Sequence, residues 1–157
     1  MKKILLVIIC LFIFNQQATA VVEIDITRGN LDPLPVAVSP LYVTPGSKDV
    51  IENDKKILNI GEEISKVIEE NFRRSGLFNP LKKDSFVQKP DIAHVKPRFE
   101  DWRLIKAQAL VTGKLSVKNN KLKVEFRLWD LTASKEMIAL SFTTTPSNWR
   151  RVAHIIS

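Results

Sequence analysis

At Ala109 the apolar residues of this chain change period, from three and four to two, and that change limits the architectures open to it. Upstream, from about Lys55 to Arg74, Ile57, Ile60, Ile64, Val67, Ile68 and Phe72 recur at helical spacing. Glu62, Glu63, Lys66, Glu69 and Glu70 take the opposite face. Gly61 falls in the middle of this predicted helix, where glycine costs about 1 kcal/mol relative to alanine. Gly76 is a left-handed stop after Ser75. Downstream, Ala109 to Val117 reads as a strand and Asn119-Asn120 as a hairpin turn tolerant of positive φ. Leu122, Val124, Phe126 and Leu128 then alternate with Lys123, Glu125, Arg127 and Trp129. Leu131 to Glu136 turns the chain, and Met137 to Thr144 returns. The pattern is an antiparallel meander with one wet face.

Around these elements the signals are shorter. Arg28 to Pro35 holds Gly29, Pro33 and Pro35 and is expected to stay outside regular structure, because proline cannot donate to a sheet ladder. Val36 to Val38 reads as a short buried strand ended by Pro40. Leu77, Phe78, Pro80 and Leu81 form an extended segment. A second helix is expected from about Phe99 to Ala107, burying Trp102, Leu104 and Ile105. A last helix starts near Ser147 with Trp149, Val152, Ala153 and Ile156 at helical spacing, and the sequence stops at Ser157 without a C-terminal cap. The expectation is a helix cut short, with Trp149, Val152 and Ile156 left bare as an apolar patch.

The amino terminus has the form of a secretory leader. Lys2 and Lys3 precede the apolar run Ile4 to Phe14, and Ala18-Thr19-Ala20 supplies small residues for cleavage between Ala20 and Val21. Eleven apolar residues are too few to span a bilayer, which takes about 20. Residues 1–20 are thus expected to be lost on export, with no stable membrane insertion afterwards. Cys10, the single cysteine, goes with them, which excludes thiol chemistry, disulfides and cysteine metal sites from the mature chain. The remaining 137 residues suffice for one core.

Little in that remainder points to chemistry. Without Lys2 and Lys3 there are 22 basic and 17 acidic residues, a net charge of +5. The basic residues are scattered, with doublets at Lys55-Lys56, Arg73-Arg74, Lys82-Lys83 and Arg150-Arg151. No run is long enough for a nucleic-acid arm, and a solvated surface is the expected role. His94 and His154 have no ligand-spaced partners. Phosphate loops, nucleophile elbows and zinc motifs are missing from the sequence. Glu100 and Asp101 are adjacent and would diverge on a helix, and Asp130 is placed to cap a turn. Trp102, Trp129 and Trp149 read as core rather than as stacking platforms for bases. No catalytic residue, cofactor or metal is expected, and export removes nucleic acid as a routine partner.

Binding remains. In the segment Val21 to Thr27, at the freed end, Val22, Ile24 and Ile26 alternate with Glu23, Asp25 and Thr27. Such a segment either lies against its own domain or adds itself to another protein's sheet edge.

Five segments, in order along the chain, resemble one family. They are Pro33-Leu34-Pro35-Val36-Ala37-Val38, Arg74-Ser75-Gly76-Leu77-Phe78-Asn79-Pro80-Leu81, Ala109-Leu110-Val111-Thr112-Gly113, Val124-Glu125-Phe126-Arg127-Leu128-Trp129-Asp130 and Trp149-Arg150-Arg151-Val152-Ala153-His154. Together they look like the amino-terminal domain of TolB, the periplasmic component of the Tol-Pal envelope system. The resemblance implies an α/β chain in the broad sense: an α+β mixed sheet packed with two to three helices, similar to the anticodon-binding domain of class II aminoacyl-tRNA synthetases. It also implies a periplasmic, non-enzymatic interaction module supporting outer-membrane integrity, envelope constriction during division and import of macromolecules. The segment matching the family's TolA-binding terminus is Val21 to Thr27. Family members continue into a six-bladed β-propeller that binds Pal. This sequence ends within the corresponding helix, so Pal contact is not expected, and a non-functional or partly functional fragment of a split gene is the alternative. Lys106 departs from the family, which usually has glycine there.

Overall fold

The computed structural model describes residues 32–47, 59–157 and the backbone of 52–53 and 56–57. The leader, its cleavage site and the segment Val21 to Thr27 lie outside the described residues.

Strand β1 (Leu34–Val38) is followed by the two-residue β2 (Tyr42–Val43) and a small antiparallel ribbon of β3 (Glu52–Asn53) and β4 (Lys56–Ile57). Helix α1 (Ile60–Ser75) leads to β5 (Phe78–Pro80). Two short helices, α2 (Pro90–Ala93) and α3 (Phe99–Leu104), precede the long strands β6 (Ala109–Lys118), β7 (Lys121–Asp130) and β8 (Lys135–Thr144). Helix α4 (Trp149–Ile156) ends the chain. The main sheet has the order β5-β1-β6-β7-β8, with β2 also pairing β6. Its β5, β1 and β2 contacts are parallel, and β6-β7-β8 is the antiparallel meander the period of two predicts. Among the described residues this is a mixed sheet with four α-helices, an α+β fold. Two of those helices are of only four and six residues.

Both faces of the sheet carry a core. On one, Ile60, Ile64, Ile68 and Phe72 of α1 and Trp149, Val152 and Ala153 of α4 pack on Val36, Val38, Val111, Leu115, Leu122 and Val124. On the other, Trp102 of α3 and Ala93 of α2 meet Ala37, Leu110, Trp129 and Leu131. Each fully buried aliphatic side chain contributes about 1.5–3 kcal/mol. All three tryptophans are therefore core. Trp102 donates to Gln88 Oε1 at 2.7 Å and Trp129 to Thr112 Oγ1 at 2.9 Å, so neither buried indole N–H is orphaned.

Four expectations fail locally. Helix α1 begins at Ile60, not near Lys55. Asn59 takes an extended conformation and its side chain accepts from the Glu62 amide at 3.3 Å, while the Lys56–Ile57 backbone pairs with Glu52–Asn53. Gly61 thus sits in the first turn, not the middle. Its carbonyl accepts from Leu41 N at 3.2 Å, and a Cβ there would lie 2.2 Å from the Leu41 carbonyl oxygen. Pro35 lies inside β1. Its carbonyl accepts from Gln108 N at 2.9 Å, and β6 pairing with β1 starts only at Val36↔Ala109. The missing donor therefore faces a stretch where the ladder has not begun.

The second helix stops at Leu104, whose side chain is 79% exposed rather than buried. Finally, Trp149 and Val152 are 5% and 3% exposed against α1 and the sheet, and Ile156 packs at their margin, so the bare apolar patch does not exist.

Candidate interaction surface

The second core layer covers only the sheet end where β6 begins. Beyond Thr112, the same face of β6 and β7 turns polar, because in register each rung sets Lys114 against Glu125 and Ser116 against Lys123. Lys114 Nζ lies 3.2 Å and Lys123 Nζ 2.5 Å from the Glu125 carboxylate. The hydrogen bond from Lys123, with Lys114 beside it, holds the Glu125 carboxyl below the usual carboxylate range against its partial burial. One rung on, Arg127 pairs with Glu136 of β8 at 3.0 Å and donates to the His94 carbonyl at 2.8 Å. His94 in turn stacks on Tyr42, ring centroids 4.4 Å apart. A shallow groove of about 200 Å³ lies between His94 and the strands.

In this arrangement Glu125 is committed to two lysines. Among the described residues no three His, Cys, Asp or Glu side chains converge as metal ligands. His94, at the end of α2, has its Nδ1 3.0 Å from the Pro90 carbonyl, and His154 Nδ1 accepts from Asn71 Nδ2 at 2.8 Å. Glu100 pairs with Arg103, and Asp101 accepts from Arg98 Nε at 2.7 Å. Asp130 accepts from Ala133 N at 2.8 Å, capping the turn as its position predicts.

The outer edge of β8 is the other open surface. Met137 and Leu140 are 57% and 51% exposed, and among the described residues β8 has no strand partner beyond β7. Its exposure is hard to read from sequence, because Met137-Ile138-Ala139-Leu140 looks like buried core. Its only advance sign is position: the last strand of a meander is an edge unless something returns to cover it.

The TolB amino-terminal domain model matches residues 22–137, a span that takes in six of the seven residues from Val21 to Thr27. The Tol-Pal system protein TolB of Pelagibacter ubique (strain HTCC1062) is 65% identical over 144 residues. That match covers 90% of this chain and 32% of the relative, so the chain spans about a third of the relative's length. In fold, the chain is similar to the crystal structure of TolB from Acinetobacter baumannii, with a TM-score of 0.59 at 16% identity over 80% of this chain and 26% of that one. It is also similar to lipoprotein GNA1162 from Neisseria meningitidis, with a TM-score of 0.54 at 15% identity over 79% and 94% of the two chains.

Proposed function

Because this chain belongs to the TolB amino-terminal domain family, we propose that it is a protein-interaction module of the Tol-Pal envelope system, exported to the periplasm and cleaved after Ala20. It works by binding and not by catalysis, supporting outer-membrane integrity, constriction at division and macromolecular import. The observation that carries this reading is the family match over residues 22–137.

The contact is the freed terminus, Val21 to Thr27, which adds a strand to a sheet edge of the TolA carboxy-terminal domain. Val22, Ile24 and Ile26 face one side of that strand, and Gly29, Pro33 and the intervening residues decouple it from the domain. Strand addition depends on main-chain hydrogen bonds, so Ile24→Pro should weaken binding more than Ile24→Ala, having lost a donor as well as a side chain. Calorimetric titration of the TolA domain into wild-type and the two variants tests this. Equal affinities for wild-type and Ile24→Pro would rule the segment out as the contact. Mass spectrometry of periplasmic material should find a chain starting at Val21. Recovery only from the cytoplasm with Met1 intact would sink the envelope reading.

A further inference from the structure

The β6-β7 hairpin brings together four lysines that the sequence separates. Lys118 pairs directly with Lys121 across the ladder, Ser116 with Lys123, and Lys114 with Glu125. Residues on opposed rungs share a face, and alternate residues of a strand share it too, so Lys114, Lys118, Lys121 and Lys123 all project from one side. Glu125 is the single acid in that row and is paired to Lys114 and Lys123. Lys118 and Lys121 are exposed and have no ion pair among the described residues. Like charges set directly opposite each other destabilise a ladder. This pair stands at the hairpin tip beside the Asn119-Asn120 turn, at an open hollow of about 340 Å³ bounded by Ser116, Lys123 and Thr143.

We infer that this hairpin face is a docking surface for a bilayer bearing anionic phospholipid headgroups. The lysines are strung over about 13 Å of strand, at about 3.3 Å per residue, and do not converge on one point. A compact anion would meet only one or two of them, whereas a plane of phosphates meets the unpaired Lys118 and Lys121 together and extends along the row that Lys114 and Lys123 continue. Their long stems let each ammonium reach toward such a plane while the strands stay put. The doublets visible in the sequence do not mark this face. Cross-strand register assembles it, and this surface is more than the solvated scatter that composition suggests. The inference takes from the envelope reading only that a membrane is within reach.

The test uses the chain from Val21, which keeps every residue of both described core layers, with vesicles of phosphatidylcholine with or without phosphatidylglycerol. Each lysine near an anionic surface contributes about a fivefold gain in partitioning, so Lys118→Gln/Lys121→Gln should reduce it about thirtyfold. The control Lys82→Gln/Lys89→Gln removes the same charge from exposed sites elsewhere and should leave partitioning within a few-fold of wild-type. Unfolding midpoints for both variants establish that they remain folded, and raising salt should release the wild-type chain. Four results would overturn the inference: equal losses in the two variants, equal binding to neutral vesicles, no binding to vesicles, or capture by soluble polyglutamate in preference to vesicles. The last would make an acidic protein the partner. No TolA is present, so a failed TolA titration and a failed vesicle assay are separate findings.

Discussion

Lys106 shows what a single residue can reveal when pattern and geometry are set side by side. It takes φ 62°, in the left-handed region, at the end of α3. Its amide donates to the Arg103 carbonyl at 2.8 Å and the Ala107 amide to the Trp102 carbonyl at 3.2 Å, the paired bonds of a Schellman stop. That geometry suits glycine, and lysine adopts it at a cost of about 1 kcal/mol. Lys106→Gly should therefore stabilise the chain by up to about 1 kcal/mol, raising its melting temperature by about 4 °C in a circular-dichroism melt. An unchanged or lowered midpoint would mean the lysine side chain offsets its backbone strain. Gly61 predicts the opposite sign. Gly→Ala in a helix ordinarily gains about 1 kcal/mol, yet a Cβ here meets the Leu41 carbonyl oxygen at 2.2 Å. Gly61→Ala should destabilise by about 2 kcal/mol in urea unfolding, because backbone must move to admit it. The sequence placed Gly76 correctly as a stop, and its φ is 70°. It could not place Gly61, whose role depends on a residue twenty positions away.

Among the elements, legibility follows how local the determinants are. The meander and its Asn119-Asn120 turn, both residues at positive φ, were readable because alternation and turn chemistry are neighbouring features. The apolar period places the start of α1 too early, because Ile57 continues it, while the deciding facts are the Asn59 cap and the β3–β4 pairing. The place of Pro35 in β1 has a similar cause: whether its missing donor meets a paired stretch is set by where the β6 ladder begins. The candidate TolA segment lies outside the described residues, and the lysine face emerges only from register. The same register governs Glu125. Its folded pKa is depressed by Lys123 and Lys114, so it contributes stability that is present above its unfolded value and lost as pH falls through the folded one. Glu125 is partly exposed, so the contribution is below about 1 kcal/mol. Glu125→Gln should lower stability slightly at neutral pH, and the difference from wild-type should close in acid. A gap that stays constant from neutral pH down into acid would show that the carboxylate charge plays no part.

At the scale of the whole molecule, one sheet carries two separate core layers, and α4 belongs to the larger of them. Trp149 is buried in the layer that α1 forms with the sheet, and Asn71 of α1 reaches across to His154 and Ser157 at 2.8 and 2.6 Å. The sequence suggested a helix left without a surface to cover. The structure gives it one: Trp149, Val152 and Ala153 are buried in the same layer as Ile64, Ile68 and Phe72. Truncating a buried tryptophan costs about 3–5 kcal/mol, so Trp149→Ala should shift the urea midpoint strongly downward. The variant also separates the layers optically, since its remaining tryptophans, Trp102 and Trp129, both belong to the second layer. β1, β6 and β7 supply side chains to both layers: Val38 and Ala37, Val111 and Leu110, Val124 and Trp129. Loss of packing on one face should therefore be felt on the other through the shared strands. Fluorescence from Trp102 and Trp129 and far-ultraviolet circular dichroism should then report the same lowered midpoint. A fluorescence midpoint that stays at the wild-type value while the dichroism midpoint falls would show that the two layers unfold independently, with the sheet transmitting nothing between them.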